Sequence, residues 1–516
     1  MPTIKITNNY SLLLGDIPHQ AYAAIDNECS YYLSGYVFSK KYNTISYTCR
    51  DCGSKKSDQS GLILCPSCKS NNLEERREWD GKSHLAKQRG KCITFPTGLF
   101  SKIRDILKEQ NINSTIIDER NSVVLSNSYT LNDKYKLRDY QEFSVNKSCE
   151  CQRGIIQVGT GGGKNIISVG IMSKTGLIPT IFYVLSKDLL LQAKEEFEDK
   201  IRKNGQKINI GMVGAGECDI QDITVMTIQT AVRAFGKRFV ASDDDEYEDD
   251  KTDIAIKKQE ICDFVRSAKL VFVDECHHAP SDIVRDIMNE SKDAKYRFGL
   301  SASPWRDDGN DMLIEAQFGR KIVKITSSYL IKNNYLVKPK IYFKRIISIS
   351  KKFHTYKNVY ENFIVRNDDR NSYIANTANE FANKGKPTLI LVKWIEHGKE
   401  IQKFLPNSIM ITGEDSLSKR KNAIDRMRSK EQLITIATSL ADEGIDILPL
   451  ECGILAGSGK SSVKALQRVG RFLRPYPGKE GATIVDFYDN AKYLEDHSKR
   501  RKKIYKTEEE FEIHDI

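Results

Sequence analysis

Three groups of residues in this 516-residue chain have the types and spacing to do chemistry. The first is Gly159-Thr160-Gly161-Gly162-Gly163-Lys164-Asn165. Glycines let backbone N–H groups turn inward without a Cβ in the way, so such a loop can wrap the phosphates of ATP, with Lys164 reaching the β- and γ-phosphates. The general pattern has glycine where Val158 stands and a Mg²⁺-binding hydroxyl where Asn165 stands. An amide carbonyl can also ligate a hard cation, but from a longer side chain. The second group is Asp274-Glu275: Asp274 can hold Mg²⁺, and Glu275 can orient and deprotonate an attacking water. His277 and His278 follow, and the rival zinc reading there lacks a third ligand. The third group is Cys49-Arg-Asp-Cys52 and Cys65-Pro-Ser-Cys68, two knuckles separated by 12 residues. Four thiolates at this spacing suit one tetrahedral Zn²⁺ and leave no open position for chemistry, so a structural zinc ribbon over 47–72 is expected.

Particular elements must position these groups. The apolar run Gly154 to Val158 predicts a buried strand, and Asn165 to Met172 a helix whose N-terminus adds a positive dipole end to the loop. Upstream, Leu137-Arg-Asp-Tyr-Gln141 ends in an amide able to make a paired hydrogen bond to adenine. Pro179 to Leu185, Ile223 to Gln229 and Lys269 to Val273 read as further strands, the last delivering Asp274 and Glu275 to its end. Arg297 to Ser301 is another, with Ser301 and Ser303 at its end able to relay the state of the Asp274 site to a polymer groove. Strands alternating with helical stretches predict a parallel, doubly wound sheet with ligands at the carboxyl ends of the strands. In the N-terminal part, Gly61 to Leu64 reads as a hairpin strand feeding the second knuckle, and Leu99 to Gln110 as an amphipathic helix.

A net charge of +11 fits a polyanionic partner. Lys55, Lys56, Lys69, Arg76 and Arg77 flank the cysteines, where phosphate contact and a plain solvated basic surface are equally good readings. The same two readings apply to the run Lys499 to Lys503, and the acidic run Asp243 to Asp250 reads as a solvated loop. No apolar run reaches the ~18 residues of a membrane span, and Met1 to Tyr10 lacks the apolar core of a signal peptide. An intracellular, cytoplasmic location follows (a host's cytoplasm if the source is a virus). There, 12 cysteines read as metal ligands and buried thiols, not as a disulfide frame.

In this order, Gly-x-Gly-Lys, Asp-Glu-x-His and Ser-Ala-Ser resemble motifs I, II and III of superfamily 2 helicases. The string Leu300-Ser-Ala-Ser-Pro-Trp-Arg-Asp-Asp-Gly309 is similar to the group holding the phage recombination helicase UvsW and the xeroderma pigmentosum group B helicase. The resemblance implies a second lobe, and strands are predicted at Lys386 to Lys393, Ile411 to Glu414 and Leu433 to Thr438. Ala441-Asp-Glu-Gly444-Ile-Asp446 is similar to motif V, which in relatives touches both ATP and the polynucleotide backbone. Gln467-Arg-Val-Gly-Arg471-Phe-Leu-Arg474 is similar to motif VI. On a helix, Gln467, Arg471 and Arg474 share a face, which can present two guanidiniums to a γ-phosphate held by the other lobe. His277, Ser301 and Ser303 are then the coupling residues.

The expected fold is α/β: two RecA-like parallel-sheet lobes in tandem, with a small N-terminal α+β domain carrying the ribbon. The boundaries read as 1–130 for the N-terminal nucleic-acid-binding domain, 131–325 for lobe 1 and 326–372 for a connector and lobe 2 entry. Lobe 2 is then 373–490, and 491–516 a basic tail. The expected function is an ATP- and Mg²⁺-dependent DNA helicase or translocase acting in recombination, repair or replication, on single-stranded, forked or branched DNA, with RNA still open and 3′-5′ polarity implied by resemblance. Its alternatives are a translocase that remodels or anneals junctions without processive unwinding, and a binding module whose ATPase site is impaired at Asn165. Oligomeric state is left open.

Overall fold

The computed structural model describes residues 1–33, 36–58, 64–77, 79–237, 257–277, 281–302, 311–347, 353–438, 449–457, 459 and 461–516. The chain divides into two units, Met1–Asn121 with Asp308–Arg320, and Ser122–Asp307 with Lys321–Ile516.

In the first unit, alternation of apolar residues builds a five-stranded sheet in the order Thr115–Asp118, Thr3–Ile6, Tyr10–Leu14, Cys92–Pro96, Lys87–Arg89. Ile4, Ile6, Leu13, Ile93 and Phe95 are buried on it. The helix Phe100–Glu109 meets them with Ile103, Ile106 and Leu107, the i, i+3, i+4 stripe of an amphipathic helix. Ala316, from the helix Asp311–Phe318, completes this core. The boundary expected for lobe 1, 131–325, included these residues; the structure groups Asp308–Arg320 with the N-terminal unit instead.

Between the helix His19–Glu28 and the strand Lys87–Arg89, the chain makes a two-stranded ladder, Ser30–Tyr32 with Lys82–His84. Nested inside it is an antiparallel three-stranded sheet, Lys55–Asp58, Ile45–Cys49, Leu73–Arg77. The cysteine region is thus an insertion carried on a ladder. The strand expected at Gly61 to Leu64 falls largely outside the described residues, and Leu64 itself lies in a bend.

Besides a small three-stranded sheet, Tyr129–Leu131, Ile201–Lys203 and Gln206–Lys207, the second unit holds two large ones. The first has eight strands in the order Glu217–Asp219, Gly211–Gly214, Ile223–Thr227, Thr180–Val184, Leu270–Val273, Tyr296–Ser301, Arg153–Val158, Lys321–Ile325, parallel except for the first. The second has seven parallel strands in the order Ile409–Ile411, Ile434–Thr438, Thr388–Val392, Cys452–Leu455, Ala482–Asn490, Pro339–Ile347, Glu512–Asp515. Central strands such as Thr180–Val184, Leu270–Val273 and Thr388–Val392 are near-continuous apolar runs because helices cover both faces.

Residues 326–372, expected as a connector and lobe 2 entry, include the inner strand Pro339–Ile347 of the second sheet. Residues 491–516 are not a tail: they form the helix Leu494–Tyr505 and the edge strand Glu512–Asp515. The basic run in that helix is largely neutralised within the protein. Arg501 is buried against Asp486, Lys499 pairs with Glu495 at 2.8 Å and Lys502 with Asp515 at 2.5 Å.

His397 is fully buried in the helix Ile395–Phe404, its Nε2 3.1 Å from Asn371 Oδ1. Burial, and then the nearby Arg370 charge, hold its pKa well below the ordinary 6.5. The folded state therefore binds fewer protons at this site than the unfolded chain, and stability is lost as pH falls below about 6.5. Replacing His397 with glutamine is expected to flatten that acid limb; urea titrations at pH 5 and pH 7.5 on both proteins measure it. Equal pH sensitivity in the two would assign the limb to other groups.

Among the described residues, no helix is long and apolar enough to cross a membrane.

Candidate active site and metal centre

The glycine loop follows the strand Arg153–Val158 and runs into the helix Lys164–Thr175. Gly163 caps that helix at φ 83°, a conformation that penalises a Cβ. A Cβ on Gly162 would come 2.5 Å from Val158 Cγ1, so the loop closes into a cradle only glycine can form. Gln141 braces it from the helix Asp139–Cys151: Nε2 donates to Gly162 O and Tyr140 Oη, both at 3.2 Å, and Oε1 accepts the Arg138 N–H at 3.0 Å. Tyr140 Oη also donates to Gly162 O at 2.7 Å. The paired adenine bond expected of Gln141 needs an amide hydrogen, and both are held by the protein. In this arrangement Gln141 shapes the loop.

The strand Leu270–Val273 lies two places from Arg153–Val158 in the sheet, and Asp274 and Glu275 leave its carboxyl end beside Lys164. Lys164 Nζ donates to Glu275 Oε1 and lies 3.6 Å from Asp274 Oδ1. Asp274 Oδ1 accepts the Glu275 N–H at 2.9 Å. Burial and the neighbouring Glu275 charge push the Asp274 carboxyl up to about 6 against the pull of Lys164. Burial lowers the Lys164 ammonium, but the two carboxylates outweigh it and hold it above its ordinary value. Glu275 has φ 44°, a left-handed conformation costing a non-glycine residue about 1–3 kcal/mol. His277 is buried, its Nδ1 2.5 Å from Ser301 Oγ and 3.6 Å from Glu275 Oε2, so His277 and Ser301 meet beside the Glu275 carboxylate.

The second sheet's helix Ser462–Arg471 reaches the same place. Gln467 Nε2 donates to Glu275 Oε2 at 3.0 Å. A Cβ on Gly470 would come 2.4 Å from Thr160 Cβ, so this glycine permits the close approach of helix and loop. Arg474 lies against Gly161, with Cγ 3.4 Å and Nε 3.8 Å from where a Cβ would sit. Arg471 is the last residue of the helix and is half-buried. The helix stops there, so Arg474 does not sit at its i+7 position. A turn closed by Phe472 N–H to Val469 O (3.0 Å) and Leu473 N–H to Gly470 O (3.2 Å) carries it instead. Arg420 pairs with Asp188 at 2.5 Å as a second link between the sheets.

Sequence reasoning missed two contributors. Lys479 is buried and gives all three ammonium hydrogens to carbonyls, of Leu450 and Phe472 at 2.7 Å and of Arg474 at 2.8 Å, holding the turn that bears Arg474. Glu196 accepts the amide N–H of Asn165 at 3.1 Å. Nothing in the local sequence around 479 or 196 marks either residue, since each acts on a partner distant in the chain. Gly444, Asp446, Ser303 and His278 lie outside the described residues.

A cradle that a Cβ would fill, a helix N-terminus, an ammonium and two carboxylates form a donor set that fits a nucleotide polyphosphate with a hard cation. Asp274 and the Asn165 carbonyl are the oxygens suited to the cation.

In the other unit, the Sγ atoms of Cys49, Cys52, Cys65 and Cys68 all lie within 4.8 Å of one another. Cys49 to Cys68 is 3.5 Å and Cys52 to Cys65 is 3.6 Å. Zn–S bonds of about 2.3 Å in a tetrahedron imply S···S separations of about 3.8 Å, so the donor set fits. The knuckles repeat one geometry: the Gly53 N–H binds Cys49 O at 2.8 Å and the Lys69 N–H binds Cys65 O at 2.9 Å.

Residues 134–306 match the family described as type III restriction enzyme, res subunit, and residues 372–475 match the helicase conserved C-terminal domain. "Putative helicase 22" of Sulfolobus islandicus filamentous virus is 28% identical over 386 residues, covering 69% of this chain and 65% of that protein. "DNA 3'-5' translocase XPB2" of Sulfurisphaera tokodaii is 26% identical over 391 residues, covering 67% and 80%. "ATP-dependent DNA helicase uvsW" of Enterobacteria phage T4 is 26% identical over 265 residues, covering 49% and 53%. The chain thus spans less than two thirds of the length of two of these relatives. A solved fragment of a putative HsdR subunit of a type I restriction enzyme from Vibrio vulnificus YJ016 shares the fold, with TM-score 0.50 at 18% identity over 70% of this chain and 65% of that one. Two α/β sheets in tandem, each with its own family match, and a site built from both make the chain similar over these regions to superfamily 2 helicases, and in particular to the UvsW and XPB group.

Proposed function

We propose that this protein is an ATP-driven DNA helicase or translocase, with the glycine loop and Lys164 holding the phosphates, Asp274 and Asn165 holding Mg²⁺, and Glu275 taking the proton of the attacking water. One observation carries the reading: Glu275, on the first sheet, accepts a hydrogen bond from Gln467, on the second. Hydrolysis chemistry is thereby tied to the relative position of two lobes, which is what a motor requires. Arg471 and Arg474 complete the site from the second lobe, and His277 with Ser301 and Ser303 passes its state toward the polymer. Gly444 and Asp446 are assigned to ATP only by their similarity to motif V. Mg²⁺, when bound, neutralises charge on the phosphate oxygens. The lobes grip one strand by its phosphates, consistent with the net charge of +11. The names of the relatives support DNA and a 3'-5' direction.

Cys49, Cys52, Cys65 and Cys68 hold one structural Zn²⁺ in the N-terminal unit. Dialysis against a strong chelator is expected to release one equivalent of zinc and to weaken DNA binding, with ATP hydrolysis in the absence of DNA retained. A metal content below about 0.2 equivalents in protein as purified would remove the zinc assignment.

The deciding experiment is ATP hydrolysis with and without single-stranded DNA, for the parent and for Asn165→Thr. DNA-stimulated turnover in the parent supports the motor with asparagine as a working metal ligand. Turnover only in the threonine variant would leave the parent a binding module. Forked-duplex unwinding run beside junction migration then separates a helicase from a junction-remodelling translocase.

A further inference from the structure

Asn165 stands where a hydroxyl would bind the cation, and an amide can meet a cation with only one of its two ends. We infer that Glu196 is a positioning residue that fixes the Asn165 amide with its carbonyl oxygen available to the divalent cation, the device by which this chain uses asparagine in place of a hydroxyl; this rests on the ATP–Mg²⁺ reading above.

Glu196 lies in the helix Lys187–Lys200, and its Oε2 accepts Asn165 Nδ2 at 3.1 Å. A carboxylate only accepts, so it binds the amide by its nitrogen and leaves Oδ1 uncommitted to it. Glu196 is itself held on both sides along its helix: Gln192 Nε2 donates to Oε1 at 3.0 Å and Lys200 Nζ to Oε2 at 2.8 Å. It is well shielded, with about a quarter of its side chain exposed. Glu196 also acts electrostatically on Arg474, and the test separates that route from the Asn165 route.

The measurement is the affinity of the full chain for a fluorescent ATP analogue, with saturating Mg²⁺ and with EDTA, taken as a ratio. Glu196→Ala is expected to cut the Mg²⁺-dependent gain in affinity about tenfold, the scale of one charge-assisted hydrogen bond, with the EDTA value within twofold of the parent. Glu196→Gln, which can either accept or donate, is expected to fall between the two. In the Asn165→Thr background, where no amide needs orienting, Glu196→Ala is expected to leave the ratio unchanged. An unchanged ratio in Glu196→Ala with intact nucleotide binding would overturn this inference alone. An equal loss in the threonine background would also overturn it and assign the effect to Arg474 or to the helix. No nucleotide binding by the parent would overturn both this inference and the functional reading beneath it.

Discussion

Glutamine at position 275 is expected to lower kcat for ATP hydrolysis roughly 10²–10⁴-fold, the range for loss of a positioned general base, while nucleotide affinity stays within a few-fold of the parent. In the proposed function this carboxylate takes the proton of the attacking water. It stands at the end of a buried strand in a costly backbone conformation, between Lys164 of its own sheet and Gln467 of the other. An amide of the same shape keeps the packing and can keep one of these partners, but it cannot accept a proton. Lys164→Ala has a different signature. It leaves Asp274 and Glu275 beside each other without their cation, in a site where burial already pushes Asp274 up to about 6. It should therefore lose nucleotide binding as well as turnover. Single-turnover hydrolysis with a parallel binding titration distinguishes the two patterns. A Glu275→Gln enzyme turning over within threefold of the parent would mean that water is activated elsewhere.

Methionine at position 501 is expected to destabilise the second lobe by about 3–5 kcal/mol, because it strands a buried carboxylate. Asp486 has no solvent exposure and sits on the inner strand Ala482–Asn490. Its oxygens accept from Arg501 Nε and Nη2, both at 3.0 Å, and from Tyr505 Oη at 3.1 Å. Arg501 adds bonds to Gly459 O at 3.0 Å and Phe487 O at 2.9 Å. Removing the cation alone leaves a buried charge with, among the described residues, only the neutral donors Tyr505 Oη and the Phe487 N–H. Removing both partners in Asp486→Leu/Arg501→Met should therefore recover much of the loss, since an apolar pair of similar volume carries no desolvation penalty. Urea denaturation of the parent, both single variants and the double variant tests this as a cycle. A loss below 1 kcal/mol for Arg501→Met would contradict a closed buried network.

The sequence by itself determined the chemistry-bearing groups and the strands beneath them. A glycine loop between an apolar run and a helix, and a carboxylate pair at the end of another apolar run, are local patterns whose physics needs only neighbouring residues. The alternation of strands with helices likewise implied parallel sheets. The tertiary structure alone decided which residues serve those groups from a distance. Arg501 reads as one charge in a basic run, and becomes a buried structural cation because a strand fifteen residues earlier carries Asp486 to it. The helix Asp311–Phe318 follows a lobe 1 strand in sequence, yet its Ala316 fills the core of the N-terminal unit. Gln141 reads as a base-recognition amide and donates instead to Gly162 O of the loop and to Tyr140 Oη. Glu196 and Lys479 carry no local signature, because a positioning residue is defined by a partner brought near by folding, and sequence spacing says nothing about which distant side chains will share a buried, low-dielectric site.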